Sequence, residues 1–363
     1  MTIIRIITMC VLLSNLADAV PSPVVTDIPV SRVTALPPVP DPVGFAGAFA
    51  GVHRACLVAA GGANFPDGKM PWDGGKKVWH DRIFLLDLAS PGAAWRASGT
   101  LPAPRGYGAS LSVPEGILMI GGGDATSNTA EVLLLSMAAD KQSVRQSRLP
   151  PLPVPLAQQA AAAVGRRVHL AGGIERPDST TAGSRHLMLD LDHLDLGWQV
   201  LPEFPGPARI LATAAAVDGG YFVAGGCSLH ADADGKPTRT YLRDAWKFVA
   251  GAWARLPDLP RAAVAAASPA PVSGHSWYIV SGDDGTQSGL ASPAEHPGFP
   301  RDILRFDTRK STWSMDGTLP VPAPVTLPAV PWKSGSIFFN GEVRPGVRTP
   351  VVFVFHPDPA AEP

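Results

Sequence analysis

A six-bladed, all-β propeller is the fold that this 363-residue sequence predicts, and three observations lead to it. Glycine (37) and proline (39) together make about a fifth of the chain, against roughly 12% in ordinary usage. Proline removes a helix hydrogen bond and glycine carries a large entropic cost in a helix, so the excess argues for short strands joined by turns. The second observation is an apolar run closing in two small residues: LVAAGG at Leu57–Gly62, LMIGG at Leu118–Gly122, VHLAGG at Val168–Gly173, YFVAGG at Tyr221–Gly226, then YIVSG ending Ser281-Gly282 and IFFNG ending Asn340-Gly341. These recur at spacings of 60, 51, 53, 56 and 59 residues. The third is a Leu-Pro step alternating with them, at Leu36, Leu101, Leu149, Leu201, Leu256 and Leu319, often soon after Trp95, Trp198, Trp253 or Trp313.

Each period then reads as four strands in order: a small-residue strand, an apolar strand ending in Gly-Gly, a strand carrying aspartate (Phe84–Asp87, Ile303–Asp307), and a strand with tryptophan ahead of Leu-Pro. Four short strands in 50 to 60 residues make a propeller blade, and the double glycine resembles the kelch repeat. The glycines are expected to turn the chain at positive φ where blades converge. Phase predicts how the ring closes. A Leu-Pro precedes the first Gly-Gly and none follows the last, so the N-terminal strand near Ser31–Leu36 should supply the outer strand of the C-terminal blade and leave no open edge. Cys56 in the first blade and Cys227 in the fourth would then sit across the ring, too far apart for a disulfide, and both thiols should be free.

The N-terminus reads as a leader over Met1–Ala19: Arg5, an apolar run from Ile6 to Leu13, and Ala17-Asp18-Ala19 at its end. A buried first strand is the alternative. The expected mature chain, 20–363, forms the propeller and is exported, to a periplasm or outside the cell. No later apolar run is long enough to span a bilayer. A net charge of −1 offers no field for nucleic acid or anionic lipid, so neither is expected as a partner; the oligomeric state is left open.

Candidate chemistry gathers on one face of the ring. Long connections after Gly-Gly, at 63–81, 227–244 and 283–302, exceed hairpin length and should wall a pocket. Arg105, Arg209 and Arg261 follow Leu-Pro turns at the mouths of inner strands, where they are either ligands or solvated turn cations. In Asn340-Gly341-Glu342-Val343-Arg344-Pro345-Gly346-Val347-Arg348-Thr349, a carboxylate follows the small-residue pair directly. Glu342 is the candidate proton acceptor, and Arg348 a bidentate ligand for a substrate carboxylate; the alternative is an ion pair that only pins the last loop. Arg105, Arg209, Asn64, Asp124 and Gly47 complete the candidate binding set, with Gly44 and Gly108 leaving room on inner strands. His80, beside Trp79, is either a pocket residue or an ordinary loop histidine. Of the three cysteines Cys10 falls in the leader, and the scattered histidines with Cys56 and Cys227 form no metal-spaced cluster, so no metal or other cofactor is expected.

With Val43–Gly47 (Val-Gly-Phe-Ala-Gly), Arg105–Ser110 (Arg-Gly-Tyr-Gly-Ala-Ser) and Asp302–Asp307, the segment Asn340–Thr349 is similar to the N-acetylneuraminate epimerase family, exported sialic acid mutarotases on a six-bladed kelch propeller. The resemblance implies an isomerase acting on an acidic sugar, with Glu342 as proton acceptor and Arg348 as the matching arginine. It also implies a cyclic permutation, because the Gly-Glu unit is last here and interior in the family. Asp124 follows Gly121-Gly122-Gly123 where the family pattern leads one to expect Gly-Gly-Glu. A kelch scaffold that binds a protein or glycan without chemistry is the competing reading. A sialidase would need repeated Ser-x-Asp-x-Gly-x-Thr-Trp boxes, and Ser281-Gly282-Asp283-Asp284-Gly285 is one partial match. A copper oxidase would need a Tyr–Cys pair with histidine ligands, a pattern the sequence does not show.

Overall fold

The structure, a computed structural model, describes residues 32–357; the leader expected at Met1–Ala19 lies outside them. Six four-stranded antiparallel sheets form the blades. From the axis outward, blade 1 runs Phe49–His53, Cys56–Ala60, Arg82–Asp87, Arg96–Thr100, and blade 2 Ala109–Val113, Gly116–Ile120, Val132–Met137, Val144–Leu149. Blade 3 is Ala160–Val164, Arg167–Ala171, His186–Asp190, Trp198–Leu201; blade 4 is Thr213–Val217, Gly220–Ala224, Ala245–Val249, Ala252–Leu256; blade 5 is Val272–Ser273, Ser276–Val280, Asp302–Asp307, Thr312–Thr318. Blade 6 takes Ala329–Trp332, Gly335–Phe339 and Val352–Phe355 from the C-terminus and its outer strand, Val33–Leu36, from the N-terminus. The expected closure is thus present, with Val33 opposite Phe355 and Leu36 opposite Val352. Cys56 and Cys227 are free and buried.

Inner strands are alanine-rich because blades converge there and large side chains would collide; Ala160, Ala161, Ala214 and Ala215 are each at most 1% exposed. The core lies between blades. On one seam, Leu57, Ala59 and Phe84 of blade 1 pack against Ile337, Phe339 and Val352 of blade 6. The Trp and Leu-Pro signals prove to be two halves of one contact. The indole N–H groups of Trp95, Trp198, Trp253 and Trp313 donate to the carbonyls of Pro37, Pro150, Pro202 and Pro257 on the preceding blade, at 2.7 to 3.0 Å. Gly61 shows why glycine is required at the turn: at φ +65°, a Cβ would lie 2.4 Å from the Arg105 carbonyl oxygen of the next blade.

A closed ring of backbone hydrogen bonds surrounds the axis. Gly47, Tyr107, Gln158, Leu211, Ala265 and Thr326, one per blade, all have left-handed backbone with φ between 55° and 64°. Each donates its N–H to the carbonyl of its counterpart one blade back, and Gly47 closes the circle onto Thr326 at 2.8 Å. Five of the six carry a side chain, so the conformation costs on the order of 1 kcal/mol at each, and the six bonds offset it. Gly47 is held to glycine for a second reason: a Cβ there would meet the Tyr107 ring at 2.7 Å. No helix among the described residues is long and apolar enough to cross a membrane.

Candidate functional site

Immediately above this ring, the residue just past each small-residue pair forms an antiparallel bridge to the residue just before the left-handed one. The pairs are Ala63 with Ala46, Gly123 with Gly106, Ile174 with Ala157, Cys227 with Ile210, Asp283 with Val264, and Glu342 with Val325. Six equivalent positions therefore lie at one level around the axis, and four of them, Gly123, Ile174, Asp283 and Glu342, line the central space. Two adjacent blades carry acids there, Asp283 in blade 5 and Glu342 in blade 6.

Above them opens a well of about 480 Å³ whose lining includes Tyr107, Asp124, Gln158, Arg239, Asp283, Glu342 and Arg348. Its walls are the long connections expected to surround it: Lys77 and Trp79 from the first, Arg239 from the hairpin Cys227–Ala231 with Pro237–Tyr241, Phe299 from the third. A narrower space of about 60 Å³, lined by Gly47, Gly108 and Ser110, continues below the ring.

Glu342 and Arg348 converge as expected. They face each other across a short hairpin, Glu342–Arg344 with Val347–Arg348, in direct register. Arg348 Nη1 stands 2.9 Å from Glu342 Oε2, an ion pair lying off the hydrogen-bonding axis, so Nη1 and Nε have no aligned acceptor. The guanidinium is buried, lies 4.7 Å from the centre of the Phe65 ring and reaches the Tyr107 hydroxyl at 3.5 Å. It is thus charge-paired with Glu342 and lines the well, where a ligand carboxylate could share it. Glu342 remains partly open to the well, with 20% of its side chain exposed.

Arg105 and Arg209 are not brought to the well. Both are buried where the chain enters a blade, each paired with the acid that opens or precedes that blade's third strand. Arg105 meets Glu131 at 3.2 Å, and Arg209 meets Asp244 at 2.6 Å while donating to the Gly225 carbonyl at 2.8 Å. Arg261 repeats the arrangement with Asp302 at 2.7 Å. These arginines are not solvated cations, because each charge ties the entering connection to the third strand of its own blade, with Arg105 Nε and Nη2 buried without an acceptor. Asn64 is also buried behind the wall, donating to the Gly44 carbonyl at 3.0 Å and lying 2.8 Å from His80 Nε2. Burial holds the His80 imidazole below its ordinary pKa. Asp124 does line the well, but its Oδ1 accepts from Thr126 N and Oγ1 and from Ser127 N. Those bonds hold its carboxyl below the usual range and commit it to its own turn.

Asp283, Tyr241, Tyr107, Gln158, Arg239 and Lys77 were not among the expected site residues. A signal existed for Asp283, which directly follows Ser281-Gly282 as Glu342 follows Asn340-Gly341. Lys77 Nζ stands 4.3 Å from the centre of the Tyr107 ring and 5.0 Å from that of Trp79, capping the rim. No group of three or more His, Cys, Asp or Glu side chains among the described residues is placed to hold a metal ion.

Comparisons with known proteins agree with this architecture. A family model described as N-acetylneuraminate epimerase matches residues 29–144. The chain is 37% identical over 95 residues to the N-acetylneuraminate epimerase of Yersinia pestis (strain Pestoides F), a match covering 24% of this chain and 23% of that protein. It is 26% identical over 233 residues to the same enzyme of Yersinia enterocolitica, covering 57% of each. The chain thus matches about a quarter of the length of the first curated relatives. A solved structure titled "Structure of YjhT" superposes with a TM-score of 0.65 at 14% identity, covering 87% of this chain and 95% of that one. At that identity the likeness is one of fold. The resemblance read from the sequence is therefore the resemblance the comparisons find.

Proposed function

We propose that this chain is a mutarotase that interconverts the α- and β-anomers of N-acetylneuraminate by acid/base ring opening. The observation that carries this reading is the Glu342–Arg348 pair, 2.9 Å apart on one hairpin and facing a well of about 480 Å³, a volume within the range of about 300–1,000 Å³ typical of small-molecule sites. The name shared by the matching family and relatives supports the choice of reaction and sugar.

The chemistry follows from the substrate. In a 2-keto sugar acid, the carboxylate, the anomeric hydroxyl and the ring oxygen are all attached to one carbon. Arg348, whose guanidinium lines the well beside Glu342, receives the carboxylate, which sets that carbon next to Glu342. The Glu342 carboxylate accepts the hydroxyl proton as the bond from the carbon to the ring oxygen breaks. The electron pair goes to the ring oxygen, which is protonated by the conjugate acid of Glu342 or by a bound water. The open ketone rotates and closes on its other face by the reverse proton transfers. No electrons are exchanged with a second molecule, so no redox partner enters the balance. Export belongs to the same proposal, on the leader-like pattern of Met1–Ala19; N-terminal sequencing of the mature protein should begin at Val20.

Exchange between anomers, followed by NMR from a sample enriched in one of them, tests the reading. General acid–base groups contribute about 10²–10⁴-fold, so Glu342→Gln should lower the catalysed rate at least a hundredfold while the sugar still binds. A wild-type rate no faster than buffer, or a Glu342→Gln rate equal to wild type, would overturn it.

A further inference from the structure

Asp283 occupies in blade 5 the level that Glu342 occupies in blade 6, and the fold does not require an acid there. The equivalent positions in the other blades are Ala63, Gly123, Ile174 and Cys227, and the bridge to Val264 uses only the backbone of Asp283. The carboxylate is nevertheless held with care. Its Oδ2 accepts the Tyr241 hydroxyl at 2.7 Å and its Oδ1 accepts the Gly285 N–H at 3.0 Å. Tyr241 reaches over from the blade 4 hairpin, and its ring rests on Gly285, where a Cβ would lie 3.0 Å from it. Burial, reinforced by the Asp283 carboxylate, pushes the Tyr241 phenol above its ordinary pKa, so the hydroxyl stays a donor.

Asp283 has no ion-pair partner among the described residues and lines the well beside Glu342. An ionised carboxylate has about four acceptor sites, of which the protein fills two. Asp283 lines the well and also a cavity of about 570 Å³ beside His296 and Arg301, and its remaining capacity is open to a ligand in the well. Taking the ligand class from the mutarotase reading, on which this step rests, we propose that Asp283 is a substrate-contacting residue that accepts a hydrogen bond from a hydroxyl or amide N–H of the bound sugar acid. Tyr241 is its positioning residue. Arg348 holds the carboxylate, Glu342 faces the anomeric carbon, and Asp283, one blade further round, reads the next donor on the sugar. The well thereby selects a polyhydroxylated acid over a bare 2-keto acid, which would leave the remaining acceptor capacity of this carboxylate unfilled.

Calorimetry on the full chain tests this, using N-acetylneuraminate and analogues that each lack one hydroxyl or the amide N–H. A charge-assisted bond of this kind is worth about ten- to a hundredfold in affinity. Asp283→Ala should weaken N-acetylneuraminate binding by that factor, and one analogue that binds wild type equally weakly should bind Asp283→Ala no worse than N-acetylneuraminate does. Tyr241→Phe should lose about three- to tenfold, and nothing further in the Asp283→Ala background; that coupling is what a merely structural tyrosine would not show. Should Asp283→Ala melt, Asp283→Asn carries the same comparison. Binding of N-acetylneuraminate unchanged in the Asp283 variants, or every analogue penalty persisting in them, overturns the proposal. Anomer exchange is read separately. The binding pattern without rate enhancement refutes the mutarotase reading alone, and no binding to wild type refutes both.

Discussion

Mild acid should destabilise this propeller through two histidines far from the well. His169 and His186, 6% and 0% exposed, sit in blade 3 with His169 Nδ1 and His186 Nε2 3.0 Å apart. Around them are Tyr221, Phe248 and Trp253, with ring centres 4.5 to 5.7 Å away. Burial, with Arg167 adding to the effect on His169 and His169 to that on His186, brings each imidazole down to about 4. The unfolded chain returns each to about 6.5. Between those values the unfolded state binds protons that the folded state refuses, so stability is full above about pH 6.5 and falls as pH drops towards 4. At about 1.4 kcal/mol per pH unit per ring, each costs about 2 kcal/mol at pH 5, or about 4 kcal/mol for the pair. Against a typical total of 5–15 kcal/mol, that is a large fraction. Urea unfolding followed by tryptophan fluorescence at pH 7.5, 6 and 5 would measure it. Comparison with a His169→Leu, His186→Phe double variant removes the contribution of surface carboxylates. The wild type should lose about 4 kcal/mol more than the variant on going from pH 7.5 to 5. Parallel losses in the two proteins would refute the reasoning.

Three further outcomes follow from geometry. Arg348→Lys keeps the charge but loses the planar fork and the stack on Phe65, so affinity for the sugar acid should fall at least about tenfold with little change in melting temperature, as measured by calorimetry and thermal denaturation. Gly61→Ala places a Cβ 2.4 Å from the Arg105 carbonyl oxygen at a positive φ and should cost about 2 kcal/mol or more of unfolding free energy, against about 1 kcal/mol for Trp198→Phe, which loses one inter-blade hydrogen bond. Cys56 and Cys227 are buried, with burial pushing the Cys227 thiol up to about 11; a thiol reagent at pH 8 should label them only after denaturation.

Most of the fold could be read from the sequence because a propeller writes the same steric demand six times. Gly-Gly marks where one blade's backbone touches the next, and Leu-Pro with tryptophan marks a hydrogen bond between blades. The same repetition misled the assignment of Arg105 and Arg209. Their position after Leu-Pro turns looked like the mouth of a pocket. Yet an arginine that recurs at Arg105, Arg209 and Arg261 beside an acid at Glu131, Asp244 and Asp302 is a repeated structural lock. The acids lie 26 to 41 residues downstream, so the pairing is invisible until the third strand of each blade is placed beside the turn.

The useful contrast lies in residues that break the repeat. Glu342 was legible because its partner is six residues away on the same hairpin and because it follows a degenerate small-residue pair. Asp283 follows the other degenerate pair, which marks its place, but the hydroxyl that fixes it belongs to Tyr241, 42 residues earlier and on another blade, so no local pattern announces the pairing. A closed ring makes such pairings possible without lengthening the core. Each blade presents one position at a common level, and the loop from a neighbouring blade can reach it. Four of those positions carry no charged side chain and the two acids stand on adjacent blades, where they can address neighbouring groups of a single bound ligand, as opposite walls could not. That adjacency predicts a functional coupling. Glu342→Gln and Asp283→Asn together should weaken sugar binding by a factor different from the product of the single effects, whereas Glu342→Gln and a substitution at Ile174, across the ring, should multiply independently.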